Sequence, residues 1–394
     1  MKVELPERRG PFISVCLLLI MGLLGISLTG DLFNLYVFLE ITSLAMYIIL
    51  SIGGDKRAPV SVFRYLILGT LGASFYLLGV GFILLETGTL NMTNVAESLA
   101  SSGLNQPAVI LGVLMMIIGV AVKMAVFPLH GWLPDVYSHA SSIGTSLIAP
   151  IGTKVSAYVV IRLLFFVVNP ETGGFPIPIY TVIGFLGAIG IVWGSLMAVS
   201  QTDLKRMLAY SSVGQVGYIA LGIGLATPLG IIGALLHTLN HACMKACLFL
   251  VSSNIYSQYG HTDIRRFDPS MRKKMRWTSA AFAVSALSMI GLPPTAGFFS
   301  KWYLVRTSVE ESQWIFLVAI VLSSLLNAVY FFRILERMYL RNGLQEEETK
   351  ASGVMAQGIK PSMMIGTLIL GAGIFVIAYG NVWIVENLLR PITY

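Results

Sequence analysis

Along this chain, polar residues punctuate long apolar runs and do not alternate with single apolar residues. A helix that crosses a bilayer needs about 20 mostly apolar residues. Eleven stretches of this kind can be marked out: 12–29, 32–53, 62–86, 108–127, 143–168, 177–200, 207–225, 228–252, 277–304, 313–336 and 361–385. They are too long and too continuously apolar for the short alternating strands of a membrane β-barrel, the other structure that satisfies its own backbone in lipid. The pattern predicts an all-α polytopic membrane protein.

Composition sharpens the reading. Of 394 residues 56% are hydrophobic and 11% charged, whereas a soluble domain carries about 25% charged residues. A disordered chain, a disulfide-built secreted module and an ordinary cytosolic enzyme are excluded. Cys16, Cys243 and Cys247 lie within apolar stretches and form neither a metal quartet nor a disulfide framework. The net charge of +7 does not point to nucleic acid, because no basic face alternates with aromatics. The run from Phe12 to Thr29 behind Lys2, Arg8 and Arg9 is longer than a signal-peptide core and lacks a small-residue cleavage site, so it reads as a first span.

With eleven spans, the basic loops alternate onto one side. That side holds Lys2, Arg8, Arg9, Lys56, Arg57, Lys205, Arg206, the basic residues of 265–276, Arg337, Arg341, Lys350 and Lys360; the other holds Arg306 and Arg390. Basic loops stay cytoplasmic, which places the N-terminus in the cytoplasm and the C-terminus outside the cell membrane.

Two spans are interrupted. One reads KMAVFPLHGWLPD, with Pro128 and Pro134; the other reads MIGLPPTAGFFSKW, with Pro293, Pro294 and Gly297. Proline removes a backbone donor and breaks a helix, and irregular backbone at membrane depth survives only against protein or a wet cavity. Two such interruptions five spans apart point to an inverted-repeat transporter. The expected units are a first five-helix repeat over 12–168, a second, inverted one over 177–336, and an extra C-terminal helix over 361–385. Two ordinary proline kinks are the simpler alternative.

Ionisable residues inside spans are costly and mark pathways. Glu40 lies eight residues into the second span, about 12 Å deep at the helical rise. Lys123 falls near the middle of its helix ahead of the first break, Lys154 deep in the fifth span, Lys245 in the eighth and Lys301 in the broken ninth. Lysine suits proton transfer: removal from water favours its neutral form, and a nearby carboxylate holds it charged. A Glu40–Lys123 pair would thus switch a proton, or simply pin two helices; Lys154 would carry protons or settle on a carbonyl. His237, His241 and Lys245 recur every four residues and share one helix face, where imidazole passes protons near neutral pH. A metal or haem is the rival there, but no HExxH glutamate stands between them, and His130, His139 and His261 lie at loops or ends. His130 and Asp135, followed by His139, either take up protons or cap broken helix ends. Asp31 reads as an N-cap, with proton exit as its alternative. Arg64, Arg162 and Arg333 lie near helix ends and would snorkel. No nucleotide-binding or iron–sulfur spacing appears, so no cofactor is expected and any redox chemistry belongs to partner subunits.

The stretches GDLFNLYVFLEITSLAMY, KMAVFPLHGWLPDVYSHAS, QTDLKRMLAYSSVGQVGY, LLHTLNHACMKACLFL and GLPPTAGFFSKW resemble the antiporter-like subunits of respiratory complex I and of Mrp-type cation/proton antiporters. The D-type Mrp subunit, also found in membrane-bound hydrogenases and related archaeal complexes, is nearest in pattern. The resemblance covers roughly residues 11–340. It implies that Glu40, Lys123, Lys154, His237, His241, Lys245 and Lys301 carry protons within a multi-subunit respiratory or Mrp-type complex, beside iron–sulfur, hydrogenase or reductase subunits. The three N-terminal helices of the family pattern have no counterpart, and 340–394 is short and lacks the lateral helix of some complex I members. A neighbouring subunit or lipid would fill the gap. Two other functions stay open: a structural membrane arm that conducts nothing, and a stand-alone Na+/H+ antiporter. Sodium sites need oxygen ligands and Glu40 is the deep carboxylate, so H+ is the expected cargo.

Overall fold

The computed structural model describes residues 6–53, 55–168, 175–340 and 359–392. Lys2, Arg341 and Lys350, used above for orientation, lie outside them. Among the described residues the chain is helical, with two isolated β-bridges and no strand. Nine helices among them are long and apolar enough to cross a membrane. The chain is polytopic, and its polarity is that of a protein in lipid: Leu17, Leu85, Ile315 and Val318 face outward, while Lys123, Lys154, Lys245 and Lys301 are buried.

Two of the eleven expected segments are not among these nine. The first, 207–225, is α10 (Leu204–Gly224), buried along almost its whole length and made polar by Ser211, Ser212 and Gln215. The second, 277–304, is two helices of 15 residues, α13 (Arg276–Ile290) and α14 (Ala296–Glu310). Each is about 22 Å long, short of a bilayer core of about 30 Å.

Residue contacts divide the chain into two compact units. One is Met1–Gly144 with Ile151–Ile183; the other is Thr145–Pro150 with Gly184–Tyr394.

The first unit contains α1 (Pro6–Leu28), α2 (Leu32–Ser51), α3 (Ala58–Thr87), the short α4 (Met92–Ser102), α5 (Pro107–Met124), α6 (Trp132–His139) and α8 (Gly152–Ile161), which continues into a π-helical turn, Arg162–Val167. Asp31 caps α2, accepting from the amides of Phe33 and Asn34 at 2.9 and 2.8 Å; the cap reading of this residue is what the structure displays. Beside it, Leu32 N donates to Leu90 O and Met92 N to Gly30 O, at 2.9 and 2.8 Å. Helices α3 and α5 approach at glycines. A Cβ on Gly72 would lie 2.8 Å from the carbonyl oxygen of Gly119, and one on Gly79 2.5 Å from that of Gly112, the small-residue contact by which helices pack in lipid. Arg162 donates to Ile26 O at 3.3 Å, covering a carbonyl at the end of α1.

The second unit repeats these devices. Helix α9 (Ile179–Val199) leads into it, followed by α10, α11 (Pro228–Tyr259), α12 (Pro269–Lys274), α13, α14, α15 (Trp314–Tyr339), α16 (Pro361–Tyr379) and α17 (Asn381–Ile384). Asp203 caps α10, as Asp31 caps α2. The β-bridge Asp203–Asp263 stands 172 residues after Asp31–Asn91, with Leu204 N on Thr262 O and Ile264 N on Thr202 O at 2.9 and 2.8 Å. Arg333 covers the end of α9, donating to Val199 O and Gln201 O at 2.9 and 2.7 Å. Helix α16 docks on α11, where Asn254 donates to Thr367 Oγ1 at 3.1 Å.

The remaining helix, α7 (Ser142–Ile148), precedes α8, and Pro150 lies between them. The fifth apolar segment is therefore interrupted as well, a feature that its continuous hydrophobicity concealed.

Candidate functional site

In the first unit, α5 stops at Met124, where Ala125 takes a left-handed conformation (φ 61°) ahead of the cis peptide Phe127–Pro128. Lys123 consequently stands one residue from the end of α5 and not near the middle of its helix, where the sequence reading put it. Its Nζ lies 2.5 Å from Glu40 Oε1 and 2.6 Å from Ser43 Oγ. Glu40 and Ser43 sit one turn apart on α2, and the Ser43 hydroxyl is set by donation to Leu39 O at 2.7 Å. The break itself is braced: the Trp132 indole donates to Val122 O at 2.9 Å, and Tyr65 stacks on that indole with centroids 3.7 Å apart. Lys154 is buried in the first turn of α8.

The groups past the first break divide. Asp135 lies in the first turn of α6, where a carboxylate complements the helix dipole, and 3.9 Å from the exposed Arg64. His139 ends α6, its Nδ1 2.8 Å from Asp135 O and 3.1 Å from Ser61 Oγ. A carbonyl only accepts, so this nitrogen carries a proton. His130 is buried, its ring stacked on Phe127 at 5.5 Å. Its Nδ1 makes no hydrogen bond. Burial pushes its imidazole below the usual histidine range.

In the second unit, His237, His241 and Lys245 on α11 are fully buried. Lys245 Nζ donates to Leu208 O at 2.8 Å and Ser211 Oγ at 2.6 Å, both on α10. The imidazoles of His237 and His241 are 6.1 Å apart, and His237 Nδ1 lies 3.0 Å from Ser300 Oγ on α14. Asn240 on α11 donates to Ala296 O, the first carbonyl of α14, at 2.6 Å. The second break follows Gly291, whose φ of 95° ends α13. Lys301 reaches back across it to Met289 O and Ile290 O, at 2.9 and 3.0 Å, and to Ser324 Oγ at 3.2 Å.

Tyr218 joins the two groups. Its ring is 5.2 Å from that of His237 and lies under Lys301 Nζ at 4.7 Å, with its hydroxyl donating to Ile320 O at 3.3 Å. Sequence reasoning treated such aromatics as packing and did not find it. It also missed Ser43, Ser211, Ser300 and Ser324, the hydroxyls beside the lysines and His237. Their only signal in the sequence is helical spacing for Ser43, three residues after Glu40.

The chain matches the family described as "NADH:quinone oxidoreductase/Mrp antiporter, TM" over residues 29–327. It is 46% identical to the NADH-quinone oxidoreductase subunit N of Desulforudis audaxviator, across 98% of this chain and 77% of that protein. It is 31% identical to the D-type subunit of the Na(+)/H(+) antiporter of Alkalihalophilus pseudofirmus, across 95% of this chain and 75% of that one. Among solved structures it resembles a chain of the membrane-bound sulfane sulfur reductase, an archaeal respiratory membrane complex. That likeness has a TM-score of 0.83 at 30% identity and covers 93% of this chain and 72% of the other. The interior lysines, the histidine face and the two broken helices thus belong to a member of the NADH:quinone oxidoreductase/Mrp antiporter transmembrane family.

Proposed function

We propose that this chain is the proton-translocating membrane subunit of a multi-subunit respiratory or Mrp-type complex. Protons move along Glu40, Lys123, Lys154, His237, His241, Lys245 and Lys301, with His130 and Asp135 at the point of uptake. The observation that carries this reading is the placement of Lys123, Lys245 and Lys301. Each is buried against oxygens that accept from it, in a chain whose relatives are named as respiratory and antiporter subunits. While Glu40 holds Lys123, the ammonium keeps its proton. Moving Glu40 away leaves Lys123 with Ser43 and favours release.

The matching caps and bridges of the two units support two inverted repeats, 12–168 and 177–336, with 361–385 as an added helix. The distribution of basic loops supports a cytoplasmic N-terminus and an outer C-terminus in the cell membrane. Moving one charge against 100 mV costs about 2.3 kcal/mol, so a redox reaction or an Na+/H+ exchange in partner subunits must supply the energy.

The test is purification of the tagged chain in gentle detergent, with mass spectrometry and an iron assay on its companions. These are followed by proton pumping in proteoliposomes of the intact complex. Lys123→Ala should abolish pumping and leave assembly intact; undiminished pumping would overturn the relay. The likeness to a D-type Na(+)/H(+) antiporter component favours a second outcome. Companions that are membrane subunits without iron would make sodium-driven exchange the coupled process.

A further inference from the structure

We propose that the groove between α13 and α15 holds an anionic phospholipid. The groove has a volume of about 520 Å³, and its lining includes Ala283, Val329, Phe332, Arg333, Glu336 and Tyr339. Its wall is apolar and turned outward: Val329 is 53% exposed and Phe332 49%. They continue the outward face of α15 that begins with Ile315 and Val318. Such a wall suits an acyl chain.

Its mouth is basic. The Arg272 guanidinium lies 4.9 Å over the ring of Tyr339, at the end of the groove. Arg276 opens α13 seven residues before Ala283, which puts both on one face of the helix, Arg276 about 10 Å nearer the helix end. Arg276 lies 5.5 Å over the ring of the exposed Trp277, and tryptophan and tyrosine concentrate at the headgroup level of a bilayer. Arg333 is fixed in the wall by its two carbonyl bonds, and Lys273 and Lys274 are exposed beside Arg272. Glu336 is the acid in the lining, and these cations outnumber it. Hydrocarbon below, interfacial aromatics at the rim and several cations at the mouth complement a lipid phosphate.

The test uses the intact complex in nanodiscs, with spin-labelled phosphatidylglycerol and phosphatidylcholine as probes and native mass spectrometry of retained lipid. Preferential retention of phosphatidylglycerol is expected. Each basic residue near an anionic headgroup contributes about fivefold in affinity, so Arg272→Gln with Arg276→Gln should weaken the preference by about 25-fold. Val329→Trp, which fills the groove and leaves its charge alone, should displace the same lipid. Equal retention of both lipids, or unchanged retention in both variants, overturns the proposal. So does a photo-crosslinker at position 329 that captures a neighbouring protein in place of lipid.

Discussion

Lys301 bridges the gap that Pro293 and Pro294 open: its Nζ lies 2.9 Å from the carbonyl oxygen of Met289, in the last turn of the helix before the break. Met289 O, Ile290 O and Ser324 Oγ together offer three acceptors, which matches the three N–H groups of an ammonium. The two carbonyls are among those a helix end leaves without partners. One side chain therefore closes a broken helix with the same ammonium that the proposed relay uses.

Lys301→Met should lose proton transport and also destabilise the unit by about 1–3 kcal/mol, because Ile290 O loses the donor it has in Lys301, while Met289 O keeps Asn327 Nδ2 at 3.3 Å. Lys301→Arg should recover much of the stability and none of the transport, since guanidinium does not deprotonate in a protein. Thermal unfolding and pumping measured on both variants separate the two roles. Normal pumping by the arginine variant would show that Lys301 never gives up its proton.

Glu40 and Lys123 form a buried pair whose side chains are 26% and 6% exposed. Glu40→Gln removes one partner and leaves the other charge uncompensated, a cost of about 3 kcal/mol or more. Replacing both, as Glu40→Gln with Lys123→Met, should return most of the stability while pumping stays absent. A fully active double variant would mean that the pair only pins α2 to α5.

Tyr218 touches both His237 and Lys301. Tyr218→Phe keeps the ring under the ammonium and loses the hydroxyl contacts with Ile320 O and Ser324 Oγ, at 3.3 and 3.4 Å; both are long, so a two- to threefold loss of pumping is expected, at the lower end of the about 0.5–1.5 kcal/mol for one hydrogen bond. Tyr218→Leu removes the aromatic face, and should cost tenfold or more, in line with a desolvated cation–π contact of about 2 kcal/mol. Equal rates in the two variants would assign Tyr218 to packing alone.

His130 titrates below the ordinary imidazole value because it is buried, and the unfolded chain restores that value, about 6.5. The neutral side chain thus stabilises the fold fully above about pH 6.5, and this contribution fades as pH falls through the lower folded-state value. His130→Asn should flatten the acid limb of a melting temperature–pH curve and leave the neutral region unchanged in shape. An acid limb identical to that of the parent chain would rule out this origin.

Much of this arrangement was legible in the residues. The long apolar runs announced the helices, and Pro128, Pro293 and Pro294 announced the breaks, because a missing amide and a locked φ act locally. Asp31 as a cap followed from its position before an apolar run. Burial of Lys123, Lys154, Lys245, His237 and His241 followed from their place within such runs, since a charge has nowhere else to go in lipid.

The count of spanning helices was less secure, since α10 is made apolar enough for the interior by its neighbours and not by its own composition. Arg162 and Arg333 read as snorkelling residues, yet each closes the end of a helix more than 130 positions earlier in the chain. No local pattern encodes such a partner.

By itself, then, the sequence determined that the chain lives in lipid, where most of its helices run, that two of them break at prolines, and which ionisable groups must be sheltered. These follow from hydrophobicity and backbone covalent geometry, which each residue carries with it. Only the tertiary structure decided that Lys123 meets Glu40 and Ser43, that Lys301 turns back onto Met289, and that Tyr218 lies between His237 and Lys301. A hydrogen bond or ring contact depends on distances of a few ångströms between helices far apart in the chain, and packing alone sets those distances.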